Sequence, residues 1–296
     1  MSKQNKALLF ALLAVLFWST VAVAFKTGLK TFHYIHFLFI SIVISVLVAF
    51  FTLVFQQKLK LLSGLSKSDL MIGVFGGMLN PFLYYLMLFK AYSILPAQIA
   101  QALNYTWPIV LVLMSVPFLG QKLNLKGLST LLVGFAGVYL IAAQGQPWPL
   151  QPAEPFGVIL AISTSVIWAG FWIINTKSAV DPVVNLFLNF STGFLLSIPL
   201  ALIIPWDYHV PMIAWAAVLY SGFFEMGITF VIWLTAMKLT ERTDKISNYV
   251  FLSPFISLFF IRMVLKEHIY LTTLIGLVLI ISSIFLNRWV NKKAIK

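Results

Sequence analysis

The sequence predicts an all-α polytopic membrane protein whose ten transmembrane helices form two inverted five-helix repeats. Three observations carry this reading. The 296 residues are 61% hydrophobic and only 9% charged, with a mean hydropathy of +0.98, whereas soluble domains carry about 25% charged residues. Apolar runs close to the ~20 residues needed to cross about 30 Å of hydrocarbon recur from end to end. One stretch also occurs twice, residues 98–137 aligning with 246–283 at a constant shift of 146. Pro108 then falls on Pro254, Leu119 on Leu265, Gln121 on Glu267 and Leu123 on Ile269, while Thr130 and Gly137 fall on Gly276 and Ser283.

The runs read, in order, as 7–25, 34–55, 69–90, 94–117, 126–144, 155–176, 182–204, 211–236, 243–264 and 270–290. The first is long and no small-residue cleavage site clearly follows it, so a retained helix is expected rather than a signal peptide. Residues 1–144 make the first five-helix repeat. A proline-rich linker at 145–155 separates it from the second repeat at 156–290, and 291–296 form a basic tail. Other positions echo between halves: Trp18 and Trp168 at a shift of 150, Asn80 and Tyr84 with Glu225 and Thr229 at 145. Because each half holds an odd number of spans, the second must enter the bilayer from the opposite side. That is an inverted repeat, with a pseudo-two-fold axis in the membrane plane and a central site near the midplane.

The net charge of +12 is read as helix-end Lys and Arg that set orientation, not as a nucleic-acid surface. Of the 20 Lys and Arg, Lys26, Lys30, Lys90, Arg262 and Lys266 fall on one side; the other fifteen fall on the side holding both termini. Both termini are therefore expected in the cytoplasm, with the chain in the inner membrane. Cysteine is absent, which excludes disulfides and thiolate sites. No Walker motif, Gly-x-Ser-x-Gly elbow or His-Glu-x-x-His pair occurs, so neither an enzyme nor a cofactor is expected. His33 and His36 are spaced like metal ligands but have no third ligand nearby, and no metal is expected.

Phe17-Trp-Ser-Thr20 in helix one, Ile167-Trp-Ala-Gly-Phe-Trp172 in helix six, the prolines of helices four and nine and the stretch 266–280 resemble the EamA-type transporters of the drug/metabolite transporter superfamily. The resemblance covers nearly the whole chain. It implies a ten-helix carrier that moves metabolites, commonly outward, including amino acids in some members. Two departures stand out. The family's Gly-Glu pair after helix four reads Gly120-Gln121 in the first half and Lys266-Glu267 in the second. An Arg common early in helix two is missing from His36-Phe-Leu-Phe-Ile-Ser41.

The expected site residues follow from polarity at mid-depth. Gln101, Asn104, Tyr105 and Pro108 share one helical face. Pro108 and Pro254 each remove a backbone donor, freeing a carbonyl that a cavity can take up, and both are read as hinges. Glu225 lies roughly 21 Å along helix eight, where a carboxylate costs several kcal/mol unless paired or protonated. It is a candidate for holding a substrate ammonium, for proton coupling, or for bonding Asn80 or Tyr84 as structural glue. Trp168, Trp172 and Asn175 sit at i, i+4 and i+7, and Trp18, Tyr84, Tyr105 and Trp107 add aromatic walls suited to apolar groups or cations. Trp148, Trp206, Trp215 and Trp289 read as interface anchors.

The expected activity is alternating-access transport of a small amphiphilic metabolite, with an amino acid exporter first. Proton-coupled efflux of cationic drugs, and a polytopic membrane enzyme or receptor, stay open beside it. The expected partners are that small molecule and the lipid bilayer, and a monomer is sufficient.

Overall fold

The computed structural model describes residues 2–120, 125–143, 145, 154–176, 178–207, 209–240, 246 and 248–294. Gln121, Leu123, Trp148, the linker between its two ends and the tip of the basic tail lie outside the described residues. Every regular element among those described is helical: α1 (Lys3–Gly28), α2 (Tyr34–Phe55), α3 (Lys67–Ile94), α4 (Ala97–Leu119), α5 (Leu125–Ala142), α6 (Pro155–Thr176), α7 (Pro182–Ile203), α8 (Met212–Leu239), α9 (Asn248–Leu265) and α10 (Leu271–Ala294). Eight are long and apolar enough to cross a membrane. The apolar parts of α5 and α10, Leu128–Ala142 and Leu271–Asn287, are shorter, about 22 and 25 Å at 1.5 Å per residue. The chain is thus a multi-pass membrane protein; α5 and α10 coincide with the runs expected at 126–144 and 270–290.

Local sequence writes several helix ends. Ser66 and Asp69 form a reciprocal capping box at the start of α3. Asp181 caps α7, its carboxylate accepting from Val183 N–H at 2.9 Å and Val184 N–H at 3.4 Å, while the Lys58 ammonium donates to it at 2.7 Å. Burial pushes the Asp181 carboxyl up, but these bonds and the Lys58 charge outweigh it and hold the group below the usual carboxylate range. At the far ends of α4 and α9 the chain turns left-handed at Gly120 (φ +66°) and at Lys266 (φ +57°), positions 146 apart. Glycine adopts this turn freely, whereas the Lys266 Cβ costs roughly 1 kcal/mol there.

Four helices are broken. Residues 78–83 in α3 and 221–228 in α8 are π-helical, and Asn80 within the first is extended at φ −140°, ψ 117°. α4 divides at Tyr105 and Thr106 into Ala97–Asn104 and Trp107–Leu119. α9 opens with a 3₁₀ turn over Asn248–Leu252 before the α-helical Ser253–Phe260. The sequence suggested long helices kinked by Pro108 and Pro254. Instead each proline stands in the first turn of a new segment, where its missing N–H has no intrahelical partner to lose.

Packing is pairwise. α1 lies against α8 and α9, and α6 against α3 and α4; α2 meets α7 and α8, and α7 meets α3; α5 pairs with α10. The last pair runs antiparallel. Asn287 Nδ2 donates to Thr130 Oγ1 at 2.9 Å, and the Gly145 N–H, just beyond the end of α5, donates to Thr272 Oγ1 at 3.0 Å. Between these contacts Gly137 and Gly276 cross, each with the other's carbonyl where a Cβ would sit. Without a hydrophobic drive between helices in lipid, such small-residue crossings provide the close packing that holds two helices together. Gly276→Val should therefore lower the midpoint of thermal unfolding in detergent and cost about 2 kcal/mol or more. Leu132→Val, on the exposed flank of α5, should change it little.

Candidate ligand-binding cavity

A cavity of about 490 Å³ lies among α1, α3, α4, α6, α8, α9 and α10, within the ~300–1,000 Å³ usual for small-molecule sites. Of the expected site residues, Trp18, Tyr84, Gln101, Asn104, Tyr105, Pro108, Trp168, Trp172 and Glu225 contribute to its wall. Asn80, Asn175 and Pro254 do not. Asn80 is buried, its Oδ1 unpartnered, at the π-helical break of α3. Asn175 ties α6 to α7: its Nδ2 donates to the Phe171 carbonyl at 2.8 Å and its Oδ1 accepts from Asn185 Nδ2 at 2.6 Å.

Two polar arrangements meet at the cavity. In one, Tyr84 OH donates to Asn104 Oδ1 at 3.1 Å, Asn104 Nδ2 donates to Thr164 Oγ1 at 2.8 Å, and the Thr164 hydroxyl donates to the Ala161 carbonyl at 2.6 Å. This run ties α3, α4 and α6 together and uses both ends of the Asn104 amide. In the other, Tyr85 OH donates to Glu225 Oε1 at 3.1 Å, while Glu225 Oε2 is buried without a partner. The sequence pointed to Asn80 or Tyr84 as Glu225's neighbour, and the bond goes to Tyr85 instead. The shift of 145 between the halves pointed to Tyr84, but Tyr84 turns its hydroxyl to Asn104 and the next residue, Tyr85, reaches Glu225.

Aromatic rings complete the wall. Trp18 lies 5.3 Å from Trp233 and 6.0 Å from Phe230, centroid to centroid; Trp168 lies 6.1 Å from Phe230 and 4.8 Å from Tyr84. Trp107 and Trp172 stack at 6.5 Å between α4 and α6. The reading of the sequence missed Tyr85, Thr164, Phe230 and Trp233. The last two lie beyond the π-helical part of α8, which shifts their phase relative to Glu225. The cavity reaches Leu119 and Met237 at the finishing ends of α4 and α8. Toward the opposite end, Phe25 and Tyr92 meet edge to face at 5.3 Å and are almost fully buried.

His33 caps α2, with burial first, then His36 and Lys90, holding its ring below the usual imidazole range. His36 stacks on Trp206 at 3.9 Å, and no group of three His, Cys, Asp or Glu able to hold a metal occurs among the described residues. Trp206 Nε1 donates to the Ala201 carbonyl at 3.1 Å, while Trp215 and Trp289 are exposed.

The pattern of the whole chain matches that of the EamA-like transporter family over residues 5–143 and again over 155–289. The chain belongs to this family. It is a membrane transporter, not an enzyme. The uncharacterized transporter YvbV of Bacillus subtilis is 29% identical over 224 residues, 73% of this chain and 70% of the relative. The aromatic amino acid exporter YddG of Ancylobacter novellus is 28% identical over 157 residues, 52% of this chain and 54% of that protein. A solved crystal structure shares the fold at a TM-score of 0.68 and 21% identity, covering 98% of this chain and 99% of that one.

In this EamA-family chain the deeply closed end of the cavity is held by side chains that complete helix ends. The Lys26 ammonium, at the finish of α1, donates to the carbonyls of Tyr92 and Leu95 at 2.8 and 2.6 Å, capping α3. The Glu267 carboxylate accepts from Ala97 N–H at 3.0 Å and Gln98 N–H at 3.4 Å, capping α4. Gln98 in turn donates to the His268 carbonyl at 2.5 Å and accepts from Tyr270 N–H at 3.1 Å. Arg262 donates to the Glu267 backbone carbonyl at 3.3 Å and not to its carboxylate. A carboxylate at a helix start and an ammonium at a helix finish both complement the helix dipole. Glu267→Ala should cost about 1 kcal/mol in thermal unfolding, with Glu267→Gln recovering part of the loss.

Proposed function

We propose that this chain is a secondary carrier that works by alternating access and exports amino acids or similar small amphiphilic metabolites through the central cavity. The observation that carries the reading is the cavity itself: an aromatic-walled chamber at mid-depth, with one buried carboxylate, in a chain of a transporter family. The aromatic amino acid exporter among its relatives favours an amino-acid-like solute. In this reading the residues lining the cavity bind substrate, Glu225 couples transport to protons or holds a substrate ammonium, and the breaks at Pro108 and Pro254 act as hinges.

The proposed topology is ten spans in two inverted repeats, 1–144 and 156–290, joined by the 145–155 linker, with both termini and the 291–296 tail in the cytoplasm. Several facts support it. The family pattern matches twice. Exchanging the halves converts the α1–α8 contact into α6–α3, α1–α9 into α6–α4 and α2–α8 into α7–α3, while α2–α7 and α5–α10 map onto themselves. In this orientation the capped, closed end of the cavity faces outward and the end at Leu119 and Met237 faces the cytoplasm, as suits an exporter loading its substrate. A monomer holds the entire cavity.

Because the chain has no cysteine, single cysteines report topology cleanly. One at Ser63 should react with an impermeant maleimide only from the cytoplasmic side and one at Ser93 only from outside. Labelling of both from one side would end the inverted-repeat reading. In proteoliposomes loaded with candidate solutes, wild-type flux should depend on pH between about pH 5 and pH 8, and Glu225→Gln should abolish that dependence. A variant matching wild type across this range would remove Glu225 from the mechanism.

A further inference from the structure

Glu225 is more than nine-tenths buried and stands in the cavity wall. Its Oε1 takes the Tyr85 hydrogen bond and its Oε2 has no partner. Among the described residues that line the cavity, none is Lys, Arg or His. The same wall holds an unbroken run of rings, with Trp18, Phe230, Trp168 and Tyr84 at successive centroid distances of 6.0, 6.1 and 4.8 Å. The faces of such rings attract cations, most strongly where water is excluded. A ligand ammonium would satisfy the open carboxylate oxygen and meet these faces together.

A ligand carboxylate finds no such reception. Asn104 is tied to Tyr84 and to Thr164, and the other donors in the wall, the Gln101 amide and the indole N–H groups, are all neutral. Burying a carboxylate against neutral groups alone is strongly disfavoured. We infer that the cavity reads a ligand's ammonium and its aromatic body but provides no counter-charge for a carboxylate. Carboxylate-free arylalkylamines, and amino acids whose carboxyl is masked as an amide, are then better ligands than the parent zwitterions. The inference rests on the proposed use of this cavity as the transport site and narrows the class of solute it takes.

Competition against radiolabelled tryptamine, on the purified full chain in lipid nanodiscs, tests it without requiring transport. Tryptamine and tryptophan amide should compete at concentrations about tenfold or more below tryptophan, and indole-3-propionate should not compete. Glu225→Gln should weaken the amines by about tenfold or more. Tryptophan binding as tightly as its amide, failure of all four compounds to bind, or amine binding unchanged in a folded Glu225→Gln would each overturn the inference. The ligand ranking is read on the wild-type protein, so it stands whether or not the variant folds. Proteoliposome flux separates the two readings. Amine binding in the expected order with no flux of any solute would sink the carrier and leave the inference. Flux of tryptophan with its amide excluded would do the reverse.

Discussion

A backbone amide or carbonyl without a partner in hydrocarbon costs several kcal/mol, and the irregular helices of this chain sit where that cost can be met. α3, α4, α8 and α9 all leave the regular helical path, and all four contribute to the cavity wall. α2 and α7, which take no part in that wall, run unbroken. Irregular backbone is tolerated at membrane depth where protein or a cavity covers it. The locally broken helices therefore border the central cavity. Prolines at the starts of segments add no further unpaired group, because those positions have no intrahelical bond to give up.

The second consequence concerns charge. A carboxylate buried at mid-depth is costly unless something pairs with it, and here one oxygen of Glu225 has Tyr85 while the other has nothing. A permanent ion pair would have stabilised the resting protein more. Under the proposed function it would also occupy the group offered to a cationic ligand or a proton. The surrounding rings serve the same end, presenting a surface that suits an apolar body and a positive charge at once. Asn104 and Thr164 show the contrasting case, a polar run satisfied end to end that ties α3, α4 and α6 into one wall.

Closure at one end of the cavity relies on helix ends. Lys26 completes the carbonyls at the finish of α3, and Glu267 completes the amides at the start of α4. The short turn between these helices is thus held from both sides, by α1 of one half and by the α9–α10 connection of the other. At the opposite end Lys58 and Asp181 join the α2–α3 connection to the start of α7. Both ties are polar and lie at helix termini, where water can replace a lost partner, so they can be exchanged at far lower cost than contacts in the apolar middle.

The sequence by itself determined the class of protein, an all-helical multi-pass membrane chain, and the duplicated punctuation of Pro108 with Pro254 and of Gly120 with Lys266. These depend on composition, length and local backbone preference, all of which act between near neighbours. It also pointed to nine residues of the cavity wall, because a polar or aromatic residue at mid-depth in a membrane helix is expensive unless it faces an interior. Only the tertiary structure decided that Tyr85 and not Tyr84 holds Glu225, that Asn80 and Asn175 stay outside the wall, and that Glu267 caps the start of α4. The physical reason is phase and distance. A π-helical stretch turns every later side chain away from its ideal position, and a cap between residues 170 apart leaves no trace in the local sequence.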